Sequence, residues 1–315
     1  MTTSIKKAFI LGAGLGTRLR PLTERVPKPL VPLWNRPLIT FAFGHLLADL
    51  DVESFLVNTH HCPEVYSETF PVGEYSGCPL EFRYETTLLD TAGGIDNIRD
   101  WLPTGVESFV VYNGDILTNL PMAEAAAVHQ KSGNLVTLVL RSEGQGANVS
   151  FDRESGHVLD LRNLLETNTK EKFQFTGIYF VRPEFVERFV KRGKIESVVH
   201  SYIDCISECD GVGGVIIDDG TWLDLGNRES YLEASADHFG EWAGETRIHS
   251  DAVIDSSAEI DSISVIGAGA QVGAGSKIER SILWDGAIAE AGAVLKNCIV
   301  RTGETARGIL SDTDC

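Results

Sequence analysis

The chain has 315 residues, 43% apolar and 23% charged, enough to bury a substantial core in one large domain or two smaller ones. Its formal charge of −18 excludes a general nucleic-acid surface, because phosphate backbones require a basic footprint. No apolar run reaches the roughly 18 residues of a membrane span, and the N-terminus lacks the core and cleavage pattern of a signal peptide.

The first predicted strand, residues 8–11, opens into Gly12-Ala13-Gly14-Leu15-Gly16-Thr17-Arg18. Glycines in such a loop let backbone N–H groups approach phosphate oxygens. The spacing is neither G-x-G-x-x-G nor a loop ending in Gly-Lys-Ser/Thr. On the glycines alone a structural turn explains it equally well. The continuation is more informative. Lys6, Lys7, Arg18, Arg20, Arg25, Lys28 and Arg36 crowd the first 36 residues, where Glu24 is the single acid. In an acidic protein such a segment suits a small, highly charged ligand. Pro27 and Pro29 hold the chain extended around Lys28 and limit where its ammonium reaches.

Further along, residues 55–58, 80–84, 109–112 and 135–140 read as strands. Residues 38–50, 63–70, 92–102 and 122–131 read as helices between them. This alternation predicts a mostly parallel sheet covered on both faces, with ligands beyond the carboxyl ends of its strands. The glycine loop and Asn113-Gly114-Asp115 both fall there. Strands at 174–181 and 212–217, with helices at 183–191 and 228–239, read as the second half of the same domain, residues 1–240. His60-His61-Cys62 has no partner motif, and Cys205 and Cys209 lie four apart on a helix without a second ligand pair, so neither is assigned a metal. The six cysteines (Cys62, Cys78, Cys205, Cys209, Cys298 and Cys315) follow no disulfide framework, which points to reduced thiols in a cytoplasm. Asp218-Asp219 before Gly220 reads as a turn.

Near residue 245 the pattern changes. Ile248, Ile254, Ile260, Ile266, Val272 and Ile278 recur every sixth position; after a four-residue step Ile282, Ile288, Val294 and Val300 resume the period. Small residues follow four positions on, at Ala252, Ala258, Ser264, Ala270 and Ser276. Such a period places one branched side chain inward on each face of a parallel β-helix, about three turns over residues 245–302. Residues 303–315 lose the period and read as a flexible tail.

The segment Gly12 to Leu30, with Arg18-Leu19-Arg20-Pro21-Leu22-Thr23 and Pro27-Lys28-Pro29-Leu30, resembles the sugar-1-phosphate nucleotidylyltransferases, whose pattern is G-x-G-T-R-L-x-P-L-T followed by P-K-P-L. The resemblance continues through Leu89-Asp90-Thr91-Ala92-Gly93-Gly94-Ile95, Asn113-Gly114-Asp115, Phe175-Thr176-Gly177 and Trp222-Leu223-Asp224-Leu225-Gly226, and covers nearly the whole chain. It implies an α/β fold: a Rossmann-like nucleotidyltransferase domain with a mostly parallel sheet, followed by a short left-handed β-helix.

The resemblance implies in-line attack of a sugar-phosphate oxygen on the α-phosphorus of a nucleoside triphosphate, releasing pyrophosphate. Arg18 is assigned to the β- and γ-phosphates, Lys28 to the α-phosphate, and Asp115 and Asp224 to Mg²⁺. Leu11, Gly12, Ala13, Gly14, Gly16 and Thr17 would line the nucleotide, and Glu85, Thr91, Ala92 and Gly93 its base. Asn113, Thr176 and Gly177 would face the sugar. Two positions depart from the pattern. Asp90 stands where glycine is common. The Glu-Lys-Pro whose lysine binds the sugar phosphate is replaced by Asp160-Leu161-Arg162-Asn163, so Arg162 is the candidate substitute cation. Within the family, the Asn-Gly-Asp and Thr-Ala-Gly-Gly-Ile forms resemble guanylyl- or uridylyltransferases more than the thymidylyl type; GTP with mannose 1-phosphate is the first expectation, and UTP with N-acetylmuramate 1-phosphate or another hexose 1-phosphate is the alternative. A catalytically silent, nucleotide-sugar-binding homologue and a bifunctional acyltransferase compete with these, but only His249 could serve the latter from the repeats. The β-helix is expected to serve structure and homo-oligomerisation.

Overall fold

A computed structural model of the chain describes residues 5–104, 107–144, 146–242 and 244–315. The chain packs into two compact units that do not follow chain order: residues up to Leu15 join Phe41–Trp222, while Gly16–Thr40 joins Leu223–Cys315. The expected boundary near residue 240 therefore does not coincide with the packing. The reason is local. The second half of the signature segment and the last helix bond to the repeat region, as described below.

The first unit is built on an eight-stranded sheet. In chain order its strands are β1 (Lys7–Leu11), β2 (Ser54–Thr59), β3 (Glu74–Tyr75), β4 (Cys78–Tyr84), β5 (Phe109–Asn113), β6 (Val136–Arg141), β7 (Gln174–Val181) and β8 (Val212–Ile216). They lie side by side as β8-β6-β7-β5-β1-β2-β4-β3. β5, β1, β2 and β4 run parallel, as do β8 and β6, whereas β7 is antiparallel to both its neighbours. The middle strands read as continuous apolar runs because both their faces are buried.

Helices α1 (Ile39–Asp49), α2 (Pro63–Thr69), α3 (Asp90–Asp96), α4 (Met122–Ser132), α5 (Pro183–Phe189) and α6 (Val198–Cys209) connect the strands. The helix expected over 92–102 divides into α3 and a single 3₁₀ turn, Arg99–Trp101. Phe9, Ile95, Phe109, Val111, Leu138, Tyr179, Phe185 and Tyr202 belong to one buried cluster. Burying each such side chain contributes about 1.5–3 kcal/mol before entropy is counted.

The second unit contains α7 (Arg228–Asp237) and three stacks of short parallel strands. Val253 pairs with Gln271 and Glu259 with Lys277, a step of eighteen residues; Val265 pairs with Ile282 and Ile282 with Ile299, a step of seventeen. These stacks form a short parallel β-helix. Its interior is filled by Ile266, Val272, Ile278, Leu283, Ala289, Leu295, Val300 and Ala306.

The inward residues of the second series are Leu283, Ala289 and Leu295, one position beyond the expected Ile282, Ile288 and Val294. One residue is missing from a corner after Ile278 and another after Leu295, so both steps are five and the expected Val300 does lie inside. Ile282 faces outward, yet it is buried with Val265 and Ile299 on a covered face. Nor do residues 303–315 leave the stack. Thr305–Ala306 pairs with Ile288–Ala289, Ile309–Ser311 with Val294–Lys296, and Asp314 bridges to Ile299. The six-residue period lapses there because the final coil shortens, while its inward positions stay apolar as Ala306 and Leu310.

Among the described residues, no helix is long and apolar enough to cross a membrane.

Candidate functional site

In the first unit, β1 delivers Leu11 to the carboxyl edge of the sheet, where the Leu11 carbonyl accepts the Gly114 N–H at 3.0 Å. Gly12 follows at a crowded point. Its N–H donates to Asn58 Oδ1 at 2.8 Å, and its carbonyl accepts the Tyr66 hydroxyl at 3.0 Å. A Cβ there would lie 2.7 Å from Val57 Cγ1 and 2.8 Å from both the Asn58 carbonyl and the Tyr66 hydroxyl. Burial, and then the nearby Asp115 carboxylate, push the Tyr66 phenol far above its usual range, so it remains a donor. Ala13 is buried and Gly14 exposed; a Cβ at Gly14 would meet nothing within 4 Å.

Asn58 carries the order across to Glu85. Its Nδ2 donates to Glu85 Oε1 at 2.7 Å, and Glu85 Oε2 accepts the Leu89 N–H at 3.0 Å. Glu85 is buried, and each oxygen already holds an internal donor. It ties the ends of β2 and β4 to the start of α3, a part the sequence reading did not assign to it. Asp90 adopts a φ of +61°, the left-handed region in which aspartate is tolerated and glycine is at ease. That conformation accounts for the glycine common at this position. Thr91 accepts the Val198 N–H at 2.8 Å through its hydroxyl, and the N–H groups of Ala92 and Gly93 both point at the Glu196 carbonyl, at 2.9 and 3.4 Å. This run therefore packs α3 against the start of α6.

Asn113 ends β5 with its side chain against Gly177: a Cβ on Gly177 would fall 2.5 Å from Asn113 Nδ2. Gly177 has a φ of +81° and lies where the pairing of β7 with β6 loses register, a bulge that a side chain would strain. Thr176 is buried; its hydroxyl donates to the Val139 carbonyl at 2.8 Å, and its carbonyl accepts Trp222 Nε1 at 2.9 Å. Arg162 is exposed, with a φ of +57°, on a loop wound around the buried Asp160, whose carboxylate accepts the N–H groups of Leu165 and Thr167. Among the described residues, no hydrogen bond or ion pair ties its guanidinium to Asn113, Thr176 or Gly177.

The second unit holds the other charged candidates together. Thr17–Leu19 and Lys28–Leu30 are single 3₁₀ turns, and the Thr23 hydroxyl donates to the Gly16 carbonyl at 2.7 Å. Lys28 is buried, with Nζ 3.5 Å from Asp224 Oδ1; Arg18 is largely exposed, with Nη2 4.0 Å from Asp224 Oδ2. One carboxylate thus faces two cations from the two halves of the signature segment. Gly226 makes this possible, since a Cβ there would lie 3.0 Å from Arg18 Nη2 and 3.1 Å from Asp224 Oδ1. Gly226 was visible in the Leu-Asp-Leu-Gly run but its steric part was not; Asn58 and Tyr66 carried no sequence signal.

Among the described residues, no three His, Cys, Asp or Glu side chains come together as a metal cluster. Cys205 and Cys209 have their sulfurs 4.0 Å apart on α6, and burial pushes the Cys205 thiol well up. His249 Nδ1 accepts the Asp251 N–H at 3.1 Å within its own turn.

A family model described as Nucleotidyl transferase matches residues 7–239. The chain is 28% identical to the mannose-1-phosphate guanylyltransferase of Mycobacterium tuberculosis, over 94% of this chain and 84% of that one. It is 26% identical to the UTP–glucose-1-phosphate uridylyltransferase of a Synechocystis species and 30% identical to the mannose-1-phosphate guanylyltransferase catalytic subunit beta of Dictyostelium discoideum; each match covers 72% of this chain. The matched region spans 62% of the length of each of those two relatives. Among solved structures, UDP-glucose pyrophosphorylase from Acinetobacter baumanii superposes with a TM-score of 0.61 at 15% identity, covering 75% of this chain and 95% of that one. HddC from Yersinia pseudotuberculosis does so with a TM-score of 0.58 at 18% identity, covering 73% and 98%. At such identities these two likenesses establish the fold.

Proposed function

Because the chain belongs to the nucleotidyl transferase family, we propose that it is an enzyme joining a nucleoside triphosphate to a sugar 1-phosphate, giving a nucleoside-diphosphate sugar and pyrophosphate. The observation that carries this reading is the convergence of Arg18 and Lys28 on Asp224, within the segments whose sequence matches the family signature. The nucleophile is already an anion near neutral pH, so no general base is required. What opposes the reaction is the meeting of two polyanions. Fixed cations and positioning supply the remedy.

Lys28 is held in place by burial, which suits a cation directed at the α-phosphate, where charge builds during transfer. Arg18, with its planar fork exposed, suits the β- and γ-phosphates and the departing pyrophosphate. Asp115 and Asp224 would hold Mg²⁺. Their hard carboxylate oxygens suit that ion, and Asp224 is open enough at 43% side-chain exposure to share it with water and phosphate. When bound, the ion supplies neutralisation of phosphate charge. Gly14 is the open point of the glycine loop and would admit a phosphate; Leu11, Gly12, Ala13, Gly16 and Thr17 shape the loop around it. Glu85, Thr91, Ala92 and Gly93 act by fixing the floor beneath the base, since their polar groups are committed internally. Asn113, Thr176 and Gly177 would shape the sugar side, with Arg162 as the cation for the sugar phosphate.

GTP and mannose 1-phosphate are the first substrates to try, supported by the mycobacterial relative matched over nearly the whole chain. UTP with a hexose 1-phosphate is the second choice, supported by the Synechocystis relative. The six free thiols support a cytoplasmic setting. Assembly into a homo-oligomer through the β-helix remains part of the proposal. The test is pyrophosphate release with four nucleoside triphosphates against a set of sugar 1-phosphates. Release that requires both substrates is expected; release with neither sugar nor base dependence would contradict the reading.

A further inference from the structure

The β-helix holds both sides of the Arg18–Asp224 pair from one end. Arg301 follows the strand Ile299–Val300 in the last coil. Its Nη1 donates to the Pro21 carbonyl at 3.2 Å and lies 3.3 Å from Glu24 Oε2, while its Nε donates to the Cys315 carbonyl at 2.8 Å. The Pro21 carbonyl also accepts the Glu24 N–H at 3.1 Å, closing a turn. Thr23, inside that turn, reaches back to the Gly16 carbonyl, so the turn and the start of the segment are tied together with Arg18 between them. On the other side, Arg228 at the head of α7 donates to Asp314 Oδ1 at 2.7 Å and to the Asn297 carbonyl. Asn227 caps α7 three residues after Asp224.

We propose that Arg301 is a positioning residue for nucleotidyl transfer, setting the Pro21–Glu24 turn so that the Arg18 guanidinium stands opposite Asp224. The inference rests on the activity proposed above. Arg18 has 69% of its side chain exposed, and its 4.0 Å pairing with Asp224 is a solvent-screened contact that fixes little by itself. Its place is therefore set by its backbone. That backbone is held by short turn bonds, Leu19 N–H to Gly16 O and Leu22 N–H to Leu19 O, both 3.0 Å long. Arg301, with its side chain 21% exposed, supplies the brace from outside the turn. Its Nη1 serves two acceptors, the Pro21 carbonyl and the Glu24 carboxylate, while its Nε serves a third at Cys315; a lysine ammonium offers one nitrogen and so cannot hold both ends at once.

Steady-state kinetics of Arg301→Gln and Arg301→Lys, each made also in the Arg18→Ala background, test this together with hydrogen exchange. Arg301→Gln is expected to lower kcat about 10- to 100-fold, as for a small misplacement of a reacting group, with the sugar-phosphate KM little changed. Arg301→Lys should recover part of the loss. With Arg18 already removed, Arg301→Gln should add less than about 2-fold, because it acts through that residue. The amides of Leu19, Leu22 and Glu24 should exchange faster in Arg301→Gln, while those of Gly267 and Gly273 inside the β-helix keep their protection. Wild-type kcat, full additivity with Arg18→Ala, unchanged exchange in the turn, or lost protection throughout the β-helix would each overturn the proposal. A wild-type protein that transfers no nucleotide across the substrate set defeats the activity reading itself; an active wild type with an indifferent Arg301 defeats this inference alone.

Discussion

Gly12 and Gly14 stand two residues apart and lack side chains for different reasons. At Gly12 a methyl would collide with Val57, the Asn58 carbonyl and the Tyr66 hydroxyl, so Gly12→Ala is expected to destabilise the fold by about 1–3 kcal/mol through overpacking. At Gly14 the fold leaves a methyl free space. With that space assigned to a phosphate, Gly14→Ala should leave the melting temperature within about 2 °C and raise the nucleotide KM. Thermal melts paired with kinetics separate the two; a Gly14→Ala enzyme with native KM would remove Gly14 from the nucleotide site. Arg18 and Lys28 are tested by truncation. Arg18→Ala and Lys28→Ala should each cut kcat on the order of 100-fold or more, as for loss of one preorganised donor. Near-native turnover in either folded variant would contradict its assigned role.

At the scale of elements, the β-helix shows what a sequence pattern reveals and where it stops. The recurrence of Ile248 to Ile278 points to inward positions that the structure fills as expected at Ile266, Val272 and Ile278. Beyond Ile278 the same reasoning selects Ile282 over Leu283, because both are apolar and a corner deletion leaves no mark in the sequence. Ile282 is buried by what covers its outward face, information held elsewhere in the chain. Denaturant melts distinguish the registers. Leu295→Ala should cost about 2–5 kcal/mol, as for a filled interior, and the neighbouring Val294→Ala less than half as much. The reverse order would restore the register read from the period alone. The strands of the main sheet were legible because short apolar runs separated by turn residues admit few other readings. Antiparallel β7 was not, since direction is decided by pairing partners far away in sequence. The site divides similarly. Arg18, Lys28, Asp115 and Asp224 stand out through their motifs, whereas Asn58, Tyr66 and Arg301 act through contacts that no local spacing records.

At the scale of the whole molecule, the charged candidates are fixed by what packs behind them, and the buried polar residues set how the fold responds to acid. His129 is fully buried, with Nδ1 2.8 Å from Thr137 Oγ1 and Nε2 2.9 Å from Ser108 Oγ. Burial, and then the charge of Arg182, lower its pKa to about 3. In the unfolded chain it would titrate near 6.5. The folded-state value is the depressed one, so the contribution of neutral His129 to stability is complete above pH 6.5 and is lost as pH falls towards 3. The expected slope approaches about 1.4 kcal/mol per pH unit from this residue within that window. Unfolding free energies measured from pH 7 to pH 4 should flatten by about that slope in His129→Gln. An unaltered pH dependence would mean that the ring takes up its proton inside the fold.

The segment from Gly12 to Lys28, together with Asp115 and Asp224, is assigned nucleotidyl transfer to a sugar phosphate. The most direct measurement is product analysis by mass spectrometry after incubation of the protein with Mg²⁺, GTP and mannose 1-phosphate, and in parallel with UTP and hexose 1-phosphates. The expected result is a nucleoside-diphosphate sugar formed in equal amount with pyrophosphate, and lost in Lys28→Ala. A folded protein that binds nucleotide but forms no nucleotide sugar from any pairing would contradict the account and leave a silent binding homologue in its place.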